Sequence, residues 1–209
     1  MMPAFFFDLD GTLFDTRVDL AATVNHTRRD LGLAELSLET AISFVGRGAG
    51  YLFQRAIPER QNDEVRAVFR SHYAEHCCDR LEPYPGVLET LAELRRRGCP
   101  LGVNTNKPNF AVRMILEKFG LADTFGDAVI AGGDGFPLKP DPAPLRACAE
   151  RLGHVLTPDD WMVGDSYPDL RCAAAAGVKS AFCTFGFGQQ DGAPYTVRLD
   201  RFSDLLGLV

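Results

Sequence analysis

Residues 5–16 read FFFDLDGTLFDT, an apolar run that stops at two carboxylates spaced one residue apart. The apolar residues 4–7 predict a short buried strand, and Gly11 directly after Asp10 allows a sharp turn. Asp8 and Asp10 are therefore expected at the carboxyl end of a strand, where open parallel sheets bind their ligands. Two anions this close repel each other, so we expect a hard cation, for which Mg2+ suits the oxygen ligands. The alternative is a pair of helix-capping or turn aspartates.

The composition describes an ordinary globular chain. It has 209 residues, 46% apolar and 24% charged, enough for one core and a small second module. A net charge of -6 and a pI near 5.2 argue against a nucleic-acid partner. The sequence shows neither a membrane-length apolar stretch nor a leader pattern, which predicts a cytoplasmic protein without a membrane partner. The six cysteines form no CxxC pair, so neither a cysteine zinc site nor a disulfide framework is expected.

A block with helical periodicity follows the opening motif. Apolar residues from Val18 to Leu31 fit one helix face that is closed by Gly32. Further helices are predicted over residues 38–45, 49–57 and 63–77, with no strand-like stretch among them. The block ends at the proline-rich sequence EPYPG, residues 82–86, which suits a domain boundary or hinge.

From residue 87 onward, helices alternate with short apolar runs, the pattern of a parallel α/β sheet. The tail predicts an edge strand at 195–199 and a final helix at 202–206. The sequence therefore predicts an α/β core, residues 1–15 and 82–209, with an inserted all-helical domain, residues 16–81. The predicted core strands are 101–104, 128–131, 161–164 and 181–185, and the predicted core helices are 87–97, 109–119, 144–152 and 169–176.

Polar residues of complementary kinds follow the predicted core strands, in the segments NTNK (104–107), LKPDP (138–142) and GDSYPD (164–169). A phosphoryl-transfer site needs a nucleophile, a cation, donors for the phosphoryl oxygens and a group that manages the leaving-group proton. Asp8 and Asp165 can share Mg2+, and Thr105 can bind phosphoryl oxygens. Lys139 can neutralise both the nucleophile and the phosphate.

These motifs resemble the four motifs of the haloacid dehalogenase superfamily, in order across nearly the whole chain. Asp8-x-Asp10-Gly11-Thr12 resembles its first motif, Thr105 its second, Lys139 its third and Gly164-Asp165-x-x-x-Asp169 its fourth. The resemblance implies a Rossmann-like core of this type. It implies that Asp8 attacks phosphorus to form an aspartyl-phosphate, while Asp10 protonates the leaving alkoxide and then activates water. The implied Mg2+ ligands are the Asp8 carboxylate, the Asp10 main-chain carbonyl and Asp165, with Asp169 in or near the metal shell.

The helical insertion resembles the alpha-helical cap of that superfamily. Within this group, segments such as VGRG (45–48), PYPGV (83–87) and TNKP (105–108) resemble phosphoglycolate phosphatases. The resemblance implies a phosphoric monoester hydrolase acting on 2-phosphoglycolate, with a sugar phosphate, a nucleotide or pyrophosphate as alternatives. The predicted substrate-binding residues are Thr105, Asn106, Lys139 and Arg47. Arg47 would read the substrate carboxylate, although it can instead be solvated or pair with a cap acid. A monomer or a homodimer is expected.

The sequence argues against several other function classes. Asp10 argues against the halide-releasing dehalogenases, which lack this carboxylate, and residues 15–81 contain no lysine for a phosphonate-cleaving Schiff base. The HYAEH sequence from His72 to His76 fits a short zinc-protease pattern, but without an evident third ligand a solvated cap helix is the competing interpretation. A phospho-accepting signalling domain lacks the helical insertion and the first motif. An inactive binding domain finds no support, since every catalytic residue type is present.

Overall fold

A computed structural model describes residues 2–209, and its centre is the strand β1 (Phe5–Phe7). This strand pairs in parallel on both sides, with β4 (Leu101–Pro108) and with β6 (Trp161–Gly164). Phe5 and Phe7 belong to the hydrophobic cluster on one face of the sheet, and Phe6 to the cluster on the other face. A central parallel strand is buried on both faces, which explains three consecutive phenylalanines instead of an alternating pattern.

Three further strands complete the sheet, β5 (Val129–Gly132), β7 (Lys179–Cys183) and β8 (Val197–Leu199). The strand order is β5-β4-β1-β6-β7-β8, and every neighbouring pair is parallel. The predicted α/β fold class is confirmed. Strand β4 is longer than the predicted 101–104, and its pairing with β5 becomes irregular after Asn104.

Helices cover both faces of the sheet. The core helices are α5 (Val87–Arg96), α6 (Asn109–Lys118), α7 (Ala122–Phe125), α8 (Ala143–Arg151) and α9 (Tyr167–Ala176), followed by the 3-10 helix Phe202–Leu208. Residues of α8 and α9 complete the cluster that contains Phe6, and residues of α5, α6, α7 and the 3-10 helix complete the opposite cluster. The predicted final helix is thus a 3-10 helix, and α7, with only four residues, is too short to show a periodicity in the sequence.

Residues 16–81, here called the helical segment, contain four helices and a hydrophobic cluster of their own. That cluster includes Leu20, Val24, Phe53 and Phe69, and Ala111 of α6 joins it from the core. Within residues 2–209, no helix has the length and apolar character needed to cross a bilayer. The helices are α1 (Arg17–Asp30), α2 (Leu38–Ile42), α3 (Ala49–Ala56) and α4 (Asp63–His76).

The two connections between the core and the helical segment run side by side. The short strands β2 (Phe14–Asp15) and β3 (Glu82–Pro83) pair antiparallel, an interaction that the sequence did not reveal. The buried Asp19 carboxylate accepts hydrogen bonds of 2.9–3.1 Å from the backbone N–H groups of Arg80 and Leu81. The entry and exit of the helical segment are therefore tied to each other at the edge of the core.

Candidate active site

The loop after β1 carries the first two predicted site residues. The Asp8 N–H donates to the Val163 carbonyl at 2.9 Å, so Asp8 continues the pairing with β6, and the chain then turns. Gly11 has a φ of +77°, and a Cβ at this position would collide with the Asp165 carboxylate. Glycine is therefore required here for the backbone conformation and for the close approach of Asp165.

Lys139 lies between the first and fourth motifs. Its Nζ is 3.0 Å from Asp8 Oδ1, and it donates hydrogen bonds to Asp169 Oδ1 at 2.6 Å and to the Asn104 carbonyl at 2.7 Å. Burial alone would lower the pKa of Lys139, but the carboxylates of Asp169 and Asp8 raise it above the ordinary value. The lysine therefore stays charged and partly offsets the charge of the carboxylates around it.

Three buried carboxylates converge beside Lys139. Asp8, Asp165 and Asp169 each offer a ligand atom, and these atoms lie within 4.8 Å of one another. Burial, followed by the charges of Asp169 and Asp8, raises the pKa of Asp165 well above its ordinary value. The pKa of Asp169 is raised to about 6, chiefly by burial. Asp8 Oδ1 is buried, and besides the Lys139 ammonium it has no hydrogen-bond partner. Three carboxylates with a single lysine between them fit a hard divalent cation, which would offset their repulsion.

The two carboxylates of the fourth motif differ in how freely they could bind a metal. Asp169 accepts from Lys139 through Oδ1 and from Ser166 through Oδ2, so both of its oxygens already have donors. Asp165 Oδ2 accepts from the N–H groups of Phe187 and Gly188 at 2.9 and 2.7 Å, which leaves Oδ1 free for a cation. No role was predicted for these two residues, although the glycine-rich FGFG sequence at 185–188 is a signal for such a loop.

A glycine in that loop also has a steric role. A Cβ at Gly186 would collide with the Gly11 carbonyl and with Asp165, so the loop packs directly onto the carboxylate cluster.

Asp10 faces Lys107, a residue for which the sequence predicted no role. Lys107 Nζ donates to Asp10 Oδ1 at 2.8 Å, and the Lys107 side chain is only 1% exposed. Burial lowers the pKa of Lys107, but the Asp10 carboxylate raises it, and the net shift is upward. The same ammonium lies 5.3 Å from the centre of the Tyr73 ring, and burial raises the pKa of Tyr73 to about 12. Tyr73 belongs to α4, so the helical segment contributes directly to this site.

Thr105 and Asn106 lie on β4 beside Asp8 and Asp10. Thr105 Oγ1 accepts from the Lys107 N–H at 3.2 Å. Asn106 Nδ2 donates to the carbonyls of Gly46 and Lys139 at 3.3 and 3.1 Å, and its Oδ1 accepts from the Lys139 N–H at 2.8 Å. Asn106 therefore connects the core to the helical segment, and its contact with substrate stays a prediction.

A cavity of about 600 Å³ opens between the core and the helical segment, and Asp8, Asp10 and Asp165 line it. Arg47 also lines this cavity. Its guanidinium is exposed and lies 5.1 Å from the ring of Tyr51 and 5.2 Å from the ring of Tyr167. The structure thus brings all the predicted catalytic and metal residues together and places Arg47 at the wall of the same cavity.

A second arginine, Arg17, lines the cavity. It is held by Asp15 through two hydrogen bonds of 2.8 and 2.6 Å. No role was predicted for Arg17, because only the folded chain brings it to the cavity.

Comparison with known proteins gives one family. Residues 5–183 match the family model described as haloacid dehalogenase-like hydrolase. The chain is 39% identical over 194 residues to a phosphoglycolate phosphatase of Cereibacter sphaeroides. This match covers 89% of this chain and 87% of that relative. A phosphoglycolate phosphatase of Rhodospirillum rubrum is 41% identical over 202 residues, with 91% and 83% covered. The crystal structure of a predicted phosphoglycolate phosphatase from Haemophilus somnus has a TM-score of 0.89 at 31% identity, and covers 99% of this chain and 97% of that one.

Proposed function

Because this chain belongs to the haloacid dehalogenase-like hydrolase family and is a phosphatase, we propose that it catalyses the Mg2+-dependent hydrolysis of 2-phosphoglycolate. The observation that carries the chemical part of this proposal is the state of Asp8. Asp8 lines the cavity, and its Oδ1 lies 3.0 Å from the ammonium of Lys139, which stabilises the charged carboxylate. A carboxylate in this position is prepared to act as a nucleophile.

The reaction has two steps, and Asp10 transfers one proton in each of them. In the first, a carboxylate oxygen of Asp8 attacks phosphorus, the ester P–O bond breaks, and Asp10 gives its proton to the leaving alkoxide. In the second, Asp10 takes a proton from a water molecule that attacks the aspartyl-phosphate, which releases inorganic phosphate and regenerates Asp8. Lys139 counters the negative charge at Asp8 throughout, and Thr105 offers its hydroxyl to a phosphoryl oxygen.

Asp8 and Asp165 would hold the Mg2+ ion, together with the main-chain carbonyl of Asp10 that the family resemblance implies, and Asp169 would lie next to it. When bound, Mg2+ supplies positive charge that allows a phosphate dianion to approach the carboxylates. The closeness of these carboxylates and the raised pKa of Asp165 support this assignment.

We further propose that the helical segment, residues 16–81, is a cap that closes over the core, residues 1–15 and 82–209. The paired linkers β2 and β3 would serve as the hinge. Asn106 and Gly46 would hold the closed state through their hydrogen bond, and closure would exclude water from the cavity.

The names of the relatives support 2-phosphoglycolate as substrate. Arg47 lines the cavity and would be the cation that reads the substrate carboxylate. The cavity volume also leaves room for a second candidate. A space of about 600 Å³ lies within the range of drug-sized ligand sites, so a larger sugar phosphate also fits this geometry.

A panel of small phosphomonoesters, with release of inorganic phosphate as the readout, tests this proposal. We expect 2-phosphoglycolate to give the highest kcat/KM with Mg2+, excess chelator to stop turnover, and Ca2+ to support it poorly because of its looser coordination. Full activity in excess chelator would contradict the metal assignment. A sugar phosphate with a higher kcat/KM would overturn the substrate while leaving the chemistry intact.

A further inference from the structure

Three of the four histidines in the chain meet at the seam between α1 and α4. His72 and His76 lie one turn apart on α4, and His26 approaches them from α1. The centre of the His26 ring is 5.5 Å from that of His72 and 4.5 Å from that of His76, and the two α4 rings are 6.0 Å apart. Each histidine offers a nitrogen, and these atoms lie within 4.8 Å of one another.

One nitrogen of each α4 histidine lies beside a carboxylate. His72 Nε2 lies 2.7 Å from Asp30 Oδ2, while its Nδ1 is buried and has no hydrogen-bond partner. His76 Nδ1 lies 2.8 Å from Asp79 Oδ2, which leaves Nε2 available. In proteins, metal-binding histidines are commonly oriented by a carboxylate on the second nitrogen, which fixes the tautomer and makes the ligand more basic.

We propose that this histidine cluster, His26, His72 and His76, binds a divalent transition-metal ion such as Zn2+ and thereby joins α1 to α4. Imidazole nitrogens are ligands that Zn2+ prefers. Tetrahedral coordination at about 2.1 Å places ligand nitrogens roughly 3.4 Å apart, so the three imidazoles would have to rotate inward from their present spacing to bind an ion.

A histidine nitrogen must be unprotonated to act as a metal ligand. The unpartnered Nδ1 of His72 is the kind of buried polar atom that a bound ion would satisfy.

The cluster is separate from the carboxylate site in both place and chemistry. Tyr73, the residue after His72, lies beside Lys107 and Asp10 in the active site, whereas none of the three histidines lines the cavities there. Three imidazoles favour a borderline transition metal, whereas Asp8, Asp165 and Asp169 favour a hard cation. The third ligand missing from the sequence pattern HYAEH is therefore His26, on another helix. The proposed role of this metal is to fasten the helical segment.

Calorimetric titration of the full-length chain with Zn2+, in Mg2+ sufficient to saturate the carboxylates, tests this proposal. We expect one Zn2+ per chain and a higher melting temperature with Zn2+. His72→Gln and His26→Gln should each weaken Zn2+ binding at least tenfold and abolish the thermal shift. Asp30→Asn should weaken binding less, because Asp30 only orients His72. His154→Gln removes the one histidine outside the cluster and should leave the stoichiometry unchanged.

Circular dichroism shows whether each variant is folded, and His76→Gln replaces any variant that is not. A second titration in an Asp165→Asn background separates the two metal sites. Zn2+ binding that survives there and disappears in His72→Gln supports the proposal. Absence of Zn2+ binding, or binding lost only with Asp165→Asn, would overturn it. Because these readouts are heats and melting temperatures, they are independent of phosphatase activity.

Discussion

The strand ends of the core and the part of the helical segment that lines the cavity carry charge in different ways. In the core, Lys139, Asp165 and Asp169 are almost completely buried and are held by one another or by backbone donors. In the helical segment, Arg47 remains exposed and lies against two aromatic rings. The core thus holds its reactive groups in a fixed arrangement, whereas the helical segment offers a cation that can adjust to a ligand.

This difference follows from the cost of burying charge. An isolated buried charge is unfavourable by several kcal/mol unless partners satisfy it, so the core groups form an arrangement in which each residue depends on its neighbours. An exposed arginine over an aromatic ring contributes only about 0.5–1 kcal/mol, and its removal leaves little unsatisfied. We therefore expect core substitutions to abolish the chemistry for every substrate, and substitutions in the helical segment to change the choice of substrate.

The largest effect is expected for Asp8→Asn. The amide is nearly the same size as the carboxylate but cannot attack phosphorus, so kcat should fall by about 10⁴-fold or more with every phosphomonoester. Because the shape is preserved and one negative charge leaves a crowded cluster, the fold should persist, which circular dichroism and thermal unfolding would show. Near-normal phosphate release by this variant would eliminate Asp8 as the nucleophile.

An intermediate effect is expected at Lys107, which connects the two regions through Asp10 and Tyr73. Lys107→Met fills a similar volume but removes the charged hydrogen bond to Asp10, a contact worth about 1.5–3 kcal/mol. If Lys107 positions Asp10 for proton transfer, kcat should fall roughly 10- to 100-fold on alkyl phosphates. The loss on p-nitrophenyl phosphate should be smaller, because its leaving group needs little protonation.

Lys179→Met provides the matched control for that measurement. Lys179 also pairs with an aspartate, Asp159, at 2.8 Å, but on the surface, where an ion pair contributes little. This variant should keep normal kinetics with both substrates. An equal loss on alkyl and p-nitrophenyl phosphates in Lys107→Met would show that Lys107 acts on the fold and not on Asp10.

The sequence predicted the core well because its signals are local. The sequence of Phe5–Phe7 followed by Asp8 indicates a buried strand that ends in a polar group. In a parallel sheet, the carboxyl ends of such strands meet at one edge. Motif order then identified Lys139 and Asp165 as neighbours of Asp8, and the structure places them together. Local periodicity likewise predicted the four helices of residues 16–81.

What the sequence missed depends on contacts between distant segments. The pairing of Phe14–Asp15 with Glu82–Pro83 involves two residues on each side, too few for any periodicity. The Lys107–Asp10 ion pair requires knowledge of how the end of β4 lies against the loop after β1. The meeting of His26 with His72 requires knowledge of how α4 packs against α1. Helical periodicity identifies which residues share a face, but not which face of another helix they contact.

The smallest effect is expected for Arg47→Ala. This variant tests the contrast between the two regions most directly. If Arg47 reads the substrate carboxylate, the loss of a charged hydrogen bond worth about 1.5–3 kcal/mol should lower kcat/KM for 2-phosphoglycolate roughly tenfold or more. Activity on p-nitrophenyl phosphate, which carries no carboxylate, should be spared. The measurement is kcat/KM with both substrates under the same conditions.

The position of Arg47 between Tyr51 and Tyr167 defines the competing result, since Tyr51 belongs to the helical segment and Tyr167 to the core. If the guanidinium only fastens the two regions together, Arg47→Ala should impair both substrates equally. Arg55→Ala is the matched control, because Arg55 is also exposed and lies 5.2 Å from an aromatic ring, that of Phe44, without lining the cavity. A substrate-selective loss in Arg47→Ala beside normal kinetics in Arg55→Ala would assign carboxylate recognition to the helical segment. Equal losses on both substrates would confine recognition to the core and remove the functional contrast between the two regions.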